Sequence, residues 1–174
     1  MANYAIGLDF GTNSCRSVII NVDNGDELST SVYNYPSGEL GIITDKSDPN
    51  VARQNPQDYI QGLEQIIKES LEAASNSFSD FNSDQIIGIG VDTTGSTPIP
   101  VDDKCRPLSL NDRFKDNINA MVWLWKDHTS HEEAEEITKL AREERPEYLD
   151  RCGGTYSSEW WWSKILHLKR IDPE

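Results

Sequence analysis

Ile6-Gly7-Leu8-Asp9-Phe10-Gly11-Thr12-Asn13-Ser14-Cys15-Arg16 is the stretch on which the reading of this chain turns. An apolar strand, Tyr4 to Leu8, delivers one carboxylate, Asp9, at its C-terminal end. Glycine and small hydroxyl residues follow at once, and then a second apolar run, Val18-Ile19-Ile20. That order suits a tight β-turn whose backbone N–H groups and hydroxyls face a phosphate while the carboxylate faces a hydrated metal ion. Gly11 lets the backbone approach closely, because it has no Cβ. Mg²⁺ favours a few carboxylates plus waters and substrate phosphates, a set that one well-placed Asp can begin. D-x-G-T by itself fits an ordinary hairpin turn equally well, so a second signal has to decide.

The composition narrows the class. At 174 residues, with 36% hydrophobic and 26% charged, the chain can bury a core and reads as globular rather than disordered. Sixteen basic against 30 acidic residues give a net charge of −14. Such a surface repels nucleic acid and anionic membranes, and neither is an expected partner. A phosphate site on it must rely on backbone donors, metal and a few local cations. Cys15, Cys105 and Cys152 are odd in number and lack C-x-x-C spacing, which argues for reduced thiols and against zinc. No signal peptide and no bilayer-length apolar run are visible, so the expected compartment is cytoplasmic.

Three strands are expected first, at Tyr4–Leu8, Cys15–Val22 and Glu27–Tyr35, with Asp23-Asn24-Gly25 as a hairpin turn. Residues 36 to 55 are rich in Pro, Gly, Asp, Ser and Asn and read as an excursion loop. Asn55-Pro56 opens a helix with proline at its first position, and Tyr59, Ile60, Leu63, Ile66, Ile67, Leu71 and Ala74 carry its apolar stripe to about Asn76. Ile86 to Val91 reads as a strand buried on both faces and parallel to the first. Ser130 with Glu133 predicts a capping box for a helix carrying Ala134, Ile137, Leu140 and Ala141. A last helix is expected from Ser157 or Ser158 through Trp161, Ile165 and Leu168 to Asp172-Pro173.

The second signal follows the Ile86–Val91 strand: Asp92-Thr93-Thr94-Gly95-Ser96-Thr97-Pro98. Ligands of α/β sheets bind beyond the carboxyl ends of the strands, and this loop leaves the sheet at that end, as Asp9 does. Two such loops are less expected by chance than one.

With these residues the chain resembles the carbohydrate kinases that share the ATPase fold of actin, hexokinase and the heat-shock ATPases. Within them it is similar to the FGGY family of glycerol, xylulose and ribulose kinases, nearest its ribulokinase branch. Gly7-Leu8-Asp9-Phe10-Gly11-Thr12-Asn13-Ser14 resembles the family's first phosphate motif, and Gly88 to Pro98 resembles its sugar-side loop in the ribulokinase form. Asn119-Ala120-Met121, Leu124-Trp125-Lys126-Asp127-His128-Thr129, Glu132 to Ile137 and Gly153-Gly154-Thr155-Tyr156-Ser157-Ser158-Glu159-Trp160 are similar to further ribulokinase segments. The resemblance covers the whole chain and implies an α/β, ribonuclease H-like domain of the actin/hexokinase ATPase type, incomplete at its C-terminal end. Residues 1–174 would form the N-terminal part of the first kinase domain, without the second ATPase domain.

The resemblance also implies roles. Asp9 would hold Mg²⁺ through water. Gly11, Thr12, Asn13 and Ser14 would meet the ATP phosphates, with Arg16 at a nucleotide-contacting position. Thr94, Gly95, Ser96 and Asp127 would line the sugar site. The implied reaction, in L-arabinose catabolism, moves the γ-phosphoryl of ATP to the C5 hydroxyl of L-ribulose. The catalytic base, an aspartate in the family, is expected beyond residue 174, so this chain alone would be inactive. A non-catalytic truncated domain and a kinase for another pentulose or polyol stay open, as does a homo-oligomer. Asp127 reads equally well as a carboxylate stabilised by a helix N-terminus. Trp160-Trp161-Trp162 reads better as a buried helix face than as a sugar-stacking platform. His128, His131 and His167 lack metal-ligand spacing, and Glu132, Glu133, Glu135 and Glu136 read as a solvated helix face.

Overall fold

The structure is a computed structural model and describes residues 2–173. Its secondary structure falls into two compact units. The first comprises the residues up to Ile42 with Gln57–Thr94, and the second comprises Ile43–Pro56 with the residues from Gly95 onward.

In the first unit, β1 (Tyr4–Phe10) shows the period of two that alternation demands. Tyr4, Ile6 and Leu8 are buried, and Ala5, Gly7 and Asp9 are half-buried on the other face. β2 (Ser14–Asn21) and β3 (Glu27–Asn34) complete an antiparallel meander in which Asp9 sits opposite Arg16. The Asp23-Asn24-Gly25 turn forms as expected. Gly25 takes φ +81°, its N–H donates to the Asn21 carbonyl (2.8 Å), and Asn21 N–H donates to the Asp26 carbonyl (2.8 Å). β5 (Ile86–Thr93) adds parallel to β1, giving the order β3-β2-β1-β5.

α1 (Pro56–Ser77) covers one face of this sheet. Ile66 and Ala74 pack with Tyr4, Ile6, Leu8, Cys15 and Ile19 in the core. Small serines bring the helix close: Ser17 Oγ donates to the Ile66 carbonyl (3.0 Å) and Ser29 Oγ to the Ser70 carbonyl (2.8 Å). Gly62 is needed for the same reason, since a Cβ there would overlap Cys15 Sγ and lie 2.7 Å from a Tyr33 ring carbon.

β5 departs from expectation. Ile87, Ile89 and Val91 are 66%, 58% and 62% exposed rather than buried on both faces. The strand forms the sheet's edge, and the serine contacts of α1 fall on β2 and β3 instead.

The second unit corrects the reading of residues 36–55 as a loop. β4 (Arg53–Gln54) is fully buried and pairs antiparallel with β6 (Val122–Trp123), with Arg53 opposite Trp123. Around it stand α2 (His131–Glu144), the short α3 (Pro146–Asp150) and α4 (Trp161–Ile171). Both longer helices bury polar residues that hydropathy alone does not suggest, although Ala134 of α2 is buried as expected. In α2, Glu133 is buried while Leu140 is exposed. In α4, Ser163 and Lys164 face inward, and Trp161 and Trp162 stand out in solvent rather than filling the core. Trp160 packs edge-on against Tyr156.

The cause is a set of long-range polar pairings. Glu133 accepts from His167 Nδ1 (2.9 Å) and from Arg170 (3.4 Å), so it is not the solvated acid expected. The capping box is absent as well. Ser130 occupies the N-cap position, but its Oγ donates to the Ser158 carbonyl (3.0 Å), and Glu133 is engaged by α4.

Candidate phosphate and sugar sites

The β1–β2 turn in the first unit is closed by Gly11 N–H donating to the Ser14 carbonyl (2.9 Å). A Cβ on Gly11 would lie 2.9 Å from Arg16 Nη2 and 3.2 Å from the Ser14 carbonyl, so a side chain there would push the exposed arginine head aside and crowd the turn. Asn13 is committed structurally: its Nδ2 donates to the Leu40 carbonyl (2.7 Å), and its own carbonyl accepts from Tyr35 N–H (3.0 Å). These bonds leave the turn a fixed shape. Behind it Cys15 is fully buried, and that burial pushes its thiol pKa up.

Asp9 stands in the open at the carboxyl end of β1, one oxygen 3.4 Å from Arg16 Nη1. Asp92 lies beside it in register on β5, and Thr94 N–H donates to the Phe10 carbonyl (3.1 Å). The carboxyl ends of β1 and β5 therefore place Asp9, Asp92 and Thr94 side by side within one unit. The sheet face away from α1 carries a groove of about 450 Å³, lined by Gly7, Asp9, Arg16, Val18, Thr30 and Val32 among others. Among the described residues no group of three or more His, Cys, Asp or Glu side chains could hold a metal ion. Solvated Asp9, with Asp92 beside it, fits a hydrated Mg²⁺ shared with phosphate oxygens better than an ion caged by protein alone.

The second unit holds the other expected sugar residues. Gly95 has open space around its Cβ position and ordinary backbone geometry, whereas Ser96 takes φ +51°. That left-handed conformation costs a non-glycine residue about 1–2 kcal/mol. Thr97 Oγ1 donates to the Gly95 carbonyl (3.2 Å).

Asp127 lies at the centre of a buried network and exposes no surface. Its Oδ2 accepts from Ala52 N–H (2.7 Å) and from Arg53 Nη1, and its Oδ1 accepts from Thr129 N–H (3.2 Å) and Thr129 Oγ1 (2.6 Å). It lies four residues before α2, whose first residue is His131, and its bonds go to Ala52, Arg53 and Thr129. The Arg53 guanidinium lies 3.4 Å from the centroid of the Trp123 ring. Burial pushes its pKa down to about 9, with the nearby charge of Asp48 opposing the shift, and its Nη1 pairs with the Asp127 carboxylate. His128 bonds Ser158 Oγ through Nδ1 (2.9 Å).

Two residues escaped the sequence reading. Arg53 sits in a stretch that looks like loop, and nothing local marks it. Lys164 is fully buried on α4. Its signal is faint but real, since it falls three residues after Trp161 and four before Leu168, on the stripe that periodicity assigns to the core.

Comparison with known proteins identifies this arrangement. A xylulose kinase from Rhodospirillum rubrum superimposes with a TM-score of 0.70 at 18% identity, over 98% of this chain and 30% of that one. The fold is thus that of the actin/hexokinase-type ATPases, in the form found in sugar kinases. Residues 4–173 match the N-terminal domain of the FGGY family of carbohydrate kinases, and the chain belongs to that family. Ribulokinases are similar to it throughout. The Vibrio parahaemolyticus enzyme is 40% identical over 98% of this chain, and the Shouchella clausii enzyme 36% identical over all of it. The chain spans about 30% of the length of these relatives. No helix among the described residues is long and apolar enough to cross a membrane.

Proposed function

We propose that this chain supplies the phosphate turn and the sugar-side loop of an ATP-dependent kinase that phosphorylates L-ribulose at its C5 hydroxyl. The observation that carries the reading is the 40% identity to a ribulokinase across nearly the whole chain. The closed Gly11–Ser14 turn beside a solvated Asp9 supports it chemically. In this reading Gly11, Thr12, Asn13 and Ser14 receive the ATP phosphates, and Arg16 helps neutralise them. Asp9 holds the hydrated Mg²⁺, which when bound spreads and offsets charge on the transferring phosphoryl group. Thr94, Gly95 and Ser96 face the ketopentose. Asp127 serves that site through position rather than contact, because both of its oxygens already accept inside the protein. The catalytic base comes from polypeptide outside these residues, so the 174-residue chain is proposed to lack turnover by itself. A cytoplasmic enzyme of arabinose catabolism is the setting this activity implies.

The sugar loop offers a direct test in a polypeptide of the relatives' length. A chimera would serve, with this chain replacing the matching segment of the Vibrio parahaemolyticus ribulokinase. Gly95→Ala is expected to fold normally, since its Cβ meets nothing within 4 Å. Gly95→Leu should crowd the ketopentose and lower kcat/KM for L-ribulose on the order of 10²-fold, with KM for ATP little changed. Normal kinetics with L-ribulose in a folded Gly95→Leu variant would remove this loop from the sugar site.

A further inference from the structure

Lys164 is a charged side chain buried in the second unit, and all three of its ammonium donors are spent on main-chain carbonyls. Nζ donates to the Leu124 carbonyl at 2.5 Å, to the Ser96 carbonyl at 3.0 Å and to the Trp125 carbonyl at 3.1 Å. Burial and the nearby charge of Arg53 push its pKa down to about 7, with Glu159 opposing them. A buried ammonium is a costly way to fill space, and a methionine of similar volume would avoid that desolvation. What methionine could not do is tie these three carbonyls to one point.

The carbonyls come from two places: the Gly95–Thr97 loop, and the strand exit that leads to Asp127. The Ser96 carbonyl belongs to the residue with φ +51°. Gly95, with no Cβ and no strain, offers nothing that would hold this conformation. A fixed donor on α4 does.

We propose that Lys164 is a positioning residue for the ketose: its ammonium clamps the Ser96 carbonyl to the Leu124–Trp125 exit and so sets the shape of the sugar-side loop. This rests on the reading of that loop as the sugar contact. Lys164 touches neither ATP nor the reacting atoms in this account. It acts through Ser96.

Two measurements separate the clamp from the substrate assignment. The first is hydrogen exchange on the 174-residue chain, which needs no substrate. Lys164→Met should lower protection of the 95–97 amides at least tenfold while β1, β2 and α1 keep theirs. Ser163→Ala is the control. It removes a buried hydroxyl that bonds the Ser157 and Trp160 carbonyls on the same helix face, and it should leave the 95–97 amides unchanged. The second is steady-state kinetics in the chimera. Lys164→Met should raise KM for L-ribulose at least tenfold with KM for ATP within twofold, and Ser163→Ala should shift neither.

If Lys164→Met fails to fold, Lys164→Arg decides. Its planar fork keeps the charge but cannot aim three donors at three carbonyls around one nitrogen. It should therefore loosen the loop and raise ketose KM about threefold or more. Unchanged loop protection in the folded variant, or equal rises in KM for sugar and ATP, would overturn the clamp. A wild-type chimera that phosphorylates no ketopentose would overturn the substrate reading, while the exchange data still decide the clamp.

Discussion

Asp9→Ala in the chimera is expected to abolish nearly all Mg·ATP-dependent turnover while ketopentose affinity stays close to that of the parent. Asp9 is solvated at the carboxyl end of β1, and its charged partner among the described residues is the exposed Arg16 at 3.4 Å. Removing it therefore costs the fold little, because an exposed pair contributes under about 1 kcal/mol. Its value lies in the charge it offers a hydrated metal. Loss of that anchor should take several kcal/mol of transition-state stabilisation, a fall in kcat on the order of 10³-fold. Asp9→Asn should behave similarly, since the amide keeps the shape but loses the charge. Steady-state rates across a Mg²⁺ series, with sugar binding followed by calorimetry, check both halves. A kcat near that of the parent at saturating Mg²⁺ would reduce Asp9 to a turn residue.

Asp127→Ala should have the opposite profile, with a large loss of stability. The substitution leaves Arg53 charged, buried and without its carboxylate, and it takes the acceptor from Ala52 N–H and from Thr129. Breaking one side of a buried ion pair typically costs about 3–5 kcal/mol, a large share of the roughly 5–15 kcal/mol that holds a domain folded. The loss should be confined to the second unit, and the molecule carries a probe for it. All five tryptophans (Trp123, Trp125, Trp160, Trp161 and Trp162) lie in that unit. Denaturant unfolding followed by tryptophan fluorescence should shift strongly, while exchange protection of the β1 and β2 amides shifts little. The double variant Asp127→Leu with Arg53→Met, which removes both charges, should recover much of the stability. A cost below about 1 kcal/mol for Asp127→Ala would mean that this network does not anchor the unit.

The two units differ in how much their sequences disclose. Alternation in β1 and β2, the Asn24-Gly25 turn and the Tyr59–Ala74 stripe are local signals, and each produced the expected element. The Asp9–Ser14 turn was legible for the same reason, as was the parallel partnership of β1 and β5. What sequence could not show was exposure. The apolar run Ile86–Val91 reads as buried, yet its place at the sheet's edge leaves Ile87, Ile89 and Val91 in solvent. β4 and β6 are two residues each, too short to carry any period, and their pairing joins distant segments. The polar residues that α2 and α4 bury were missed because Glu133, Ser163 and Lys164 look like surface residues. They are buried because His167, the Ser157 carbonyl and the Ser96 carbonyl meet them there. The family motifs pointed to the Thr94–Ser96 and Asp127 segments, but their buried partners, Lys164 at the Ser96 carbonyl and Arg53 at Asp127, had to be found in space. Ser96, not Gly95, carries the unusual backbone.

The role proposed for these residues is phosphoryl transfer from ATP to a ketopentose. Sugar-dependent ADP release tests it most directly, measured for the 174-residue chain alone and for the chimera against L-ribulose, D-xylulose and glycerol. The expected result is no turnover above background for the chain alone and the highest kcat/KM with L-ribulose for the chimera, with the product phosphorylated at C5. Turnover by the isolated chain would contradict the claim that the base lies outside it. A folded chimera that favours glycerol or D-xylulose, or that shows no sugar-dependent ADP release at all, would contradict the ketopentose assignment.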